Sequence, residues 1–305
     1  MVDFALVTLL RDAYLADVRE WVAYHLLRDV GLIVIYDHAH ADGPSRNLSE
    51  LLDGLQIWRD AGVVELRTQV SEDACVLSED SDEGLTCRPD QFSVRAAYLD
   101  AALTLRTRAR WVGFLDYDEF LDDGSEQPLI RSIDRLGSAD TGALTVEMRR
   151  YGGSGHYLRP AGLVTASYRW REKRFALAGI RSDETRRRLD TQGNFRKSIV
   201  RPEAVVCPYF GTHSWQLRSG WRRRDASIDD FILHHYFTKS AEDFLDKFML
   251  GTFLGHPRHH SWRTFDLLWS GDYRGSTLER PRELVEDTSM FRFQDRIADE
   301  LLRSA

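Results

Sequence analysis

The chain opens on an unbroken apolar run, "FALVTLL", and continues into "YLADVREWVAYHLLRDVG". In this second stretch Leu15, Val18, Trp21, Val22, His25 and Leu26 recur close to i, i+3, i+4, i+7 spacing, and Gly31 supplies a stop. A second unbroken run, "LIVIYD", follows. The pattern predicts strand, amphipathic helix, strand, and uniformly apolar strands flanking such a helix indicate a parallel sheet covered on both faces. The alternation extends through a helix ("LSELLDGLQIWRDAG"), a strand ("VVELRT"), an acidic, mobile connection ("SEDACVLSEDSDEGLTCRPD"), a helix ("QFSVRAAYLDAALTLRTRA") and a fourth strand, "RWVGFLDYDEF". Beyond it the pattern predicts a helical segment ("PLIRSIDRLGS"), a strand ("GALTVEMRRYG") and a Gly-rich turn ("GGSGH"). Polar loops around "DETRRRLDTQGNFR" come next, then strands "KSIVRP" and "FILHHYF" and a helix from "SAEDFLDKFMLGTFLG". The expectation is one continuous α/β domain over residues 1–305.

Composition narrows the class. The 48 acidic and 41 basic residues are widely mixed, which excludes the concentrated basic footprint of a nucleic-acid binder. No apolar run approaches the ~20 residues needed to span a bilayer. "MVDFALVTLLRDAY" lacks a basic n-region and a small-residue cleavage site, so it reads as a first core strand. On these grounds the expected location is the cytoplasm. Cys75, Cys87 and Cys207 are odd in number and lack C-x-x-C spacing, which argues against a disulfide framework and agrees with a reducing compartment.

Candidate chemistry gathers at the carboxyl ends of the predicted strands, where an open α/β sheet collects its ligands. The fourth strand runs into Asp116, Asp118 and Glu119. Alternation along an extended chain puts Asp116 and Asp118 on one face and turns Tyr117 and Glu119 away. Two aligned carboxylates repel, and a divalent cation with hard oxygen ligands is the simplest remedy, although such acids also cap helices or meet arginines. Asp37 ends the second strand and could accept a hydrogen bond from a nucleobase N–H, or serve as a turn acid. His213, His234 and His235 are candidate neutral ligands, and adjacent histidines on a strand face opposite ways, so only one of His234 and His235 can reach a given ion. Ser240 and Asp243 resemble a capping box, with Lys239 at that helix start, either placed to meet a phosphate or simply exposed.

These stretches, taken in order from about Val7 to Phe248, resemble the glycosyltransferases of the GT-A fold, specifically the family 2-like and family 92 group. "LRDAYLADVREWVAYHLLRDVG" echoes the group's opening pattern, giving Glu20, Trp21, His25 and Gly31, and "YDHAHAD" echoes its next strand end, giving Asp37 and Asp42. "RWVGFLDYDEFL" looks like its metal motif, "RRYGGSGH" like its Gly-rich segment, and "HHYFTKSAEDFLDKF" like its H-Y-x-x-K-S segment. Arg11 and Asp12 replace the usual Asn-Glu pair, His38 and His40 replace Asn and Ser, and His234 replaces Asn, leaving His235 as the matched histidine.

The resemblance implies a Rossmann-like GT-A domain with a mixed, mostly parallel sheet. Residues 1–124 would form its nucleotide-sugar half, 125–250 its acceptor side and 251–305 a C-terminal helical extension. It implies inverting transfer of a hexose-type sugar from a UDP-sugar to a saccharide or glycolipid acceptor, without a membrane span but compatible with peripheral contact to a lipid-linked acceptor. Asp116 and Asp118 would hold Mn2+ or Mg2+ with His213 or His235. Asp37 would touch the base, Arg95 or Lys239 the diphosphate, and Gly152 to His156 would border the acceptor. The general base falls to Glu147, with Asp230 in reserve, while Glu147 also suits an ion pair with Arg149 on the same strand face. Two other readings stay open. One is a sugar nucleotidyltransferase, against which the absence of glycine in "LLRDAYLAD" counts. The other is a non-catalytic binding protein that stacks sugars on Trp215, Trp221 or Trp262.

Overall fold

The computed structural model describes residues 1–37, 46–78, 92–172, 196–208, 214–227, 229–250 and 284–304. Its first half builds four parallel strands, β1 (Val2–Leu10), β2 (Leu32–Asp37), β3 (Val64–Arg67) and β4 (Ala109–Phe114), in the order β3-β2-β1-β4. Phe4, Leu6 and Leu10 of β1 bury against helix α1 (Leu15–Leu27), and Ala5, Val7 and Leu9 bury in the cluster that holds Ala97, Ala101 and Leu105 of helix α5 (Val94–Leu105). A strand with apolar residues on both faces is what two such layers demand. The strand order reverses at β1, which leads to β2 on one side and neighbours β4 on the other, and the crevice at such a switch point opens beyond the carboxyl ends of the strands.

Three predicted elements divide differently. The helix predicted from Leu48 becomes α2 (Leu48–Gly54) and α3 (Gln56–Asp60). Gly54, a weak helix former, sits where a Cβ would come within 2.6 Å of Leu15. The connection after β3 begins with helix α4 (Glu72–Ser78), and its remainder lies outside the described residues. The fourth strand is the larger departure. It stops at Phe114, the chain reverses over 115–118, and β5 (Glu119–Asp122) re-enters at the far edge of the sheet.

The second half supplies α6 (Leu129–Leu136), β6 (Thr141–Arg150), α7 (Val164–Ser167), β7 (Trp170–Glu172), β8 (Arg196–Val200), β9 (Val205–Pro208), β10 (Trp215–Leu217), β11 (Arg222–Asp225), β12 (Ile232–His235) and α8 (Ala241–Leu250). Strand β8 runs antiparallel between β4 and β6, β12 runs parallel to β6, and β5 closes the path antiparallel to β12, with β11 beside β6. The result is the expected α/β fold on a mixed, mostly parallel sheet. Of the expected C-terminal helical extension, residues 251–283 lie outside the described residues; the described part holds β13 (Leu284–Glu286), paired with β7, and α9 (Gln294–Arg303), which packs beside α1. Among the described residues no helix is long and apolar enough to cross a membrane. Cys75 is disulfide-bonded, and since Cys207 is free its partner lies outside the described residues. The expectation against a disulfide framework, drawn from cysteine number and spacing, is corrected at that position.

Helix α1 fastens β5. The Trp21 indole donates to the Glu119 carbonyl at 2.7 Å, and the Tyr24 hydroxyl to the Leu121 carbonyl at 2.7 Å. One turn further, Arg28, fully buried, reaches Asp122 at 3.1 Å and Asp123 at 2.5 Å. Spacings of three and four residues place these three side chains on one helical stripe. Removing one member of a buried pair strands its partner's charge at a cost of about 3–5 kcal/mol, whereas exposed pairs contribute about 0–1 kcal/mol. Arg28→Ala is therefore expected to destabilise the chain by roughly 3 kcal/mol or more in urea denaturation. Arg110→Ala, which breaks the more exposed Arg110–Asp134 pair, is expected to cost under about 1 kcal/mol.

Candidate active site

The reversal between β4 and β5 lies at the carboxyl end of the parallel strands and carries all three acids. The Glu119 N–H donates to the Asp116 carbonyl at 2.9 Å, and the Asp116 N–H returns a bond to Glu119 Oε2 at 2.8 Å. The tight turn defeats strand alternation. Glu119, expected to point away, instead shares a partner with Asp116, because Lys197 Nζ lies 3.0 Å from Asp116 Oδ2 and 3.3 Å from Glu119 Oε2. Asp116 is about half exposed, whereas Asp118 and Glu119 are buried.

Each neighbouring acid has a cationic partner drawn from a distant segment. Lys197 enters from β8, where it sits beside Val146 of β6. Lys247 enters from α8, pairs with Asp118 and donates to the Phe237 carbonyl at 3.1 Å. The pairing overcomes desolvation, so Asp116 and Asp118 are both held below the usual carboxylate range, with Lys197 and Lys247 respectively the largest favourable influences. Burial, reinforced by Asp116, pushes Glu119 well above its usual range. Its Oε1 is buried without a hydrogen-bond partner among the described residues.

His234 and His235 diverge as the alternation predicts. His235 Nε2 lies 3.6 Å from Asp118 Oδ1 and Nδ1 lies 3.7 Å from Glu119 Oε1, with the Met148 sulfur at 3.3 Å. His234 turns to the Tyr151 hydroxyl at 2.7 Å and Asp122 at 3.5 Å. Burial lowers His235 to about 4, leaving a neutral imidazole, the form that ligates metals. His213, the other histidine named for this role, lies outside the described residues. Among the described residues no group of three or more His, Cys, Asp or Glu side chains is arranged to hold a metal ion. The donor set at hand is therefore two carboxylates with a nearby imidazole. It suits a cation that takes one or two carboxylates and completes its shell with phosphate and water.

Lys239 is not the exposed lysine at a helix start that the sequence allowed. It is buried in a left-handed conformation (φ +52°), pairs with Asp17 of α1, and lies 5.0 Å from the Tyr117 ring. The capping box beside it is formed: the Asp243 N–H donates to Ser240 Oγ at 3.0 Å, and the Ser240 N–H to Asp243 Oδ2 at 3.2 Å. The Gly-rich turn, with Ser154 and Gly155 at positive φ, leads to carbonyls of His156 and Tyr157 that accept from the Ala241 and Glu242 N–H groups. That turn therefore abuts the start of α8.

On the nucleotide side, Asp37 is buried at the end of β2, in register with Leu10 of β1. Arg11 follows at once, and its Nη1 is buried without a hydrogen-bond partner among the described residues, as is Nε of Arg95 in the first turn of α5. One turn along α5, Tyr98 is close enough to Lys197, Asp116 and Glu119 for all three to influence its hydroxyl. Sequence reading passed over Arg11, Lys197 and Asp17 as ligands. A lysine opening the apolar strand "KSIVRP" was the available signal for Lys197.

The two base candidates separate. Glu147 lies on β6 between Arg149 at 3.7 Å and Arg196 at 3.5 Å. Asp230 precedes the far end of β12, bound to Arg135 at 2.9 Å and Ser227 at 2.6 Å. Five residues from His235 along an extended segment is about 16 Å, so the structure does not bring Asp230 to the acidic turn. Trp215, a candidate stacking residue, is wholly buried with its ring centroid 4.7 Å from that of Phe114, Trp221 packs near Arg201, and Trp262 lies outside the described residues.

Residues 10–267 match the sequence profile of glycosyltransferase family 92. A family 92 protein from Ricinus communis is 26% identical over 234 residues, covering 75% of this chain and 34% of the relative. Another, from Oryza sativa subsp. japonica, is 27% identical over 236 residues, covering 75% and 32%. The chain thus spans about a third of the length of these curated relatives. Among solved structures, residues 1-349 of S. aureus TarS align with 80% of this chain and 63% of that chain at 11% identity and a TM-score of 0.40. A mycobacterial protein aligns over 93% and 83% at 14% identity and a TM-score of 0.37. The profile covers well over half of the sequence and encloses both the acidic turn and the lysines that face it, so this chain belongs to glycosyltransferase family 92.

Proposed function

We propose that the chain is an inverting glycosyltransferase that moves a hexose-type sugar from a UDP-sugar to a saccharide or glycolipid acceptor, assisted by Mn2+ or Mg2+. The observation that carries this reading is the placement of Asp116 and Asp118 on one turn at the carboxyl end of β4, beside the switch point of a family 92 sheet. Asp116 and Asp118 would hold the cation, with His235 or His213 as a further ligand. When bound it would supply Lewis-acid neutralisation of the charge developing on the leaving UDP.

The chain's own groups then divide the work. Asp37 and Arg11, at the ends of β2 and β1, face the region of the base and ribose. Arg95, at the N-terminus of a helix whose free amides favour anions, addresses the diphosphate. Lys239 contributes positive charge from the α8 side while it stays paired with Asp17. The turn from Gly152 to His156 borders the acceptor. Glu147 would take the proton from the acceptor hydroxyl, because it lies on the central sheet and keeps more than a third of its side chain exposed, whereas Asp230 is remote.

Two outcomes are expected. UDP release from a UDP-sugar in the presence of Mn2+ should fall at least about 100-fold in Asp118→Ala, on the scale of removing one electrostatic stabiliser of the transition state. Equal release from both proteins with every donor tried would sink the metal assignment. Because burial lowers His235 to about 4, its imidazole is neutral throughout the physiological range. The pH profile of kcat/KM should therefore show no inflection near the ordinary histidine value that His235→Gln removes.

A further inference from the structure

Asp116 and Asp118 enter this site already matched by ammonium groups. Resting on the nucleotide-donor reading above, we propose that Lys197 and Lys247 are diphosphate ligands held in readiness by these two acids. The nucleotide and its divalent cation then bind as one unit, and the cation alone binds poorly.

The charges carry the inference. Lys197 Nζ is 3.0 Å from Asp116, with its side chain only 3% exposed, and Lys247 pairs directly with Asp118. A dication arriving alone meets carboxylates whose charge is already neutralised and two cations at the same oxygens. A diphosphate arriving alone meets lysines already engaged by carboxylates. Arriving together, the two exchange partners with the site: carboxylates turn to the cation, ammonium groups to the phosphates, and charge stays balanced throughout. Lysine suits the exchange because its point charge sits on a flexible four-carbon stem with rotatable donors. Glu119 keeps Lys197 in place during it. Its Oε2 lies 3.3 Å from Nζ, and its Oε1 is buried without a hydrogen-bond partner among the described residues. Lys247 has a second anchor in the Phe237 carbonyl at 3.1 Å. Among the described acids, Lys197 pairs with Asp116 and Glu119 alone, and Lys247 with Asp118 alone.

The test is Mn2+ binding to the full chain, read from loss of the aqueous Mn2+ electron paramagnetic resonance signal with and without UDP and corrected for Mn2+ held by free UDP. Calorimetry of UDP with and without Mn2+ gives the reciprocal measurement, which linkage requires to show the same factor. Wild-type protein should bind Mn2+ at least about tenfold more tightly with UDP present, within the usual range of coupling between two ligands. In Lys247→Met, Mn2+ alone should bind severalfold more tightly, UDP alone more weakly, and the coupling should shrink towards one. Lys247→Arg should retain most of it. Lys197→Met tests the second lysine where circular dichroism shows that the variant folds, and the wild-type and Lys247 measurements decide the matter without it. Equal Mn2+ affinity with and without UDP, or coupling unchanged in Lys247→Met, overturns the exchange while leaving the donor reading intact. No Mn2+ binding even with UDP overturns both.

Discussion

Three carboxylates within four residues cannot be packed at the end of a buried sheet unless cations are brought to them. That constraint governs how the two halves of the chain meet. Asp118 and Glu119 are buried, and Asp116 is bonded into the same turn. Leaving such charges unpaired would cost several kcal/mol each. The compensating ammonium groups come from β8 and α8, both more than 75 residues away along the chain. Strand β8 must therefore lie against β4, and α8 must begin where Lys247 can face the turn. The two halves of the molecule are held in register by charge as well as by the sheet.

The legible part of the fold follows from burial. Strands β1 to β4 were readable because a strand covered on both faces has no choice but a continuous apolar run, and α1 because its apolar positions fall on helical spacing. The end of β4 was not readable in this way. The apolar run continues through Leu115, and nothing in "FLDYDEF" announces that the chain reverses before Glu119. Alternation failed for Glu119 at that turn, yet it succeeded for His234 and His235, because β12 stays extended through both. The partners of the acids were hidden for another reason. Ion pairing across more than 75 residues leaves no local pattern, so Lys197 reads as an ordinary polar residue beginning a strand, and Asp17 as a first-turn helix acid. The family resemblance found the motif but could not supply these contacts. His213, named as a candidate ligand from its chemistry alone, lies outside the described residues.

The start of α8 shows how backbone conformation and chemistry are tied together at this site. Lys239 occupies a left-handed conformation that non-glycine residues seldom adopt, and such strain persists only where surrounding contacts over-determine it. Here the contacts are the ion pair to Asp17, the reciprocal Ser240–Asp243 cap, and the carbonyls of His156 and Tyr157 that receive the first free amides of the helix. Arg159 adds a further tie, reaching Asp243 at 2.6 Å while its guanidinium stacks 4.2 Å from the Tyr14 ring. Together they fix the direction in which α8 leaves the sheet. Lys247 lies seven residues beyond Ser240, two turns and about 10 Å along that axis, so a small tilt at the cap would carry its ammonium out of reach of Asp118. The strained lysine at the helix start and the acid-paired lysine two turns later are thus complementary. One is locked by α1 so that the other can be delivered to the acidic turn, and the Gly-rich segment that borders the acceptor is built into the same cap.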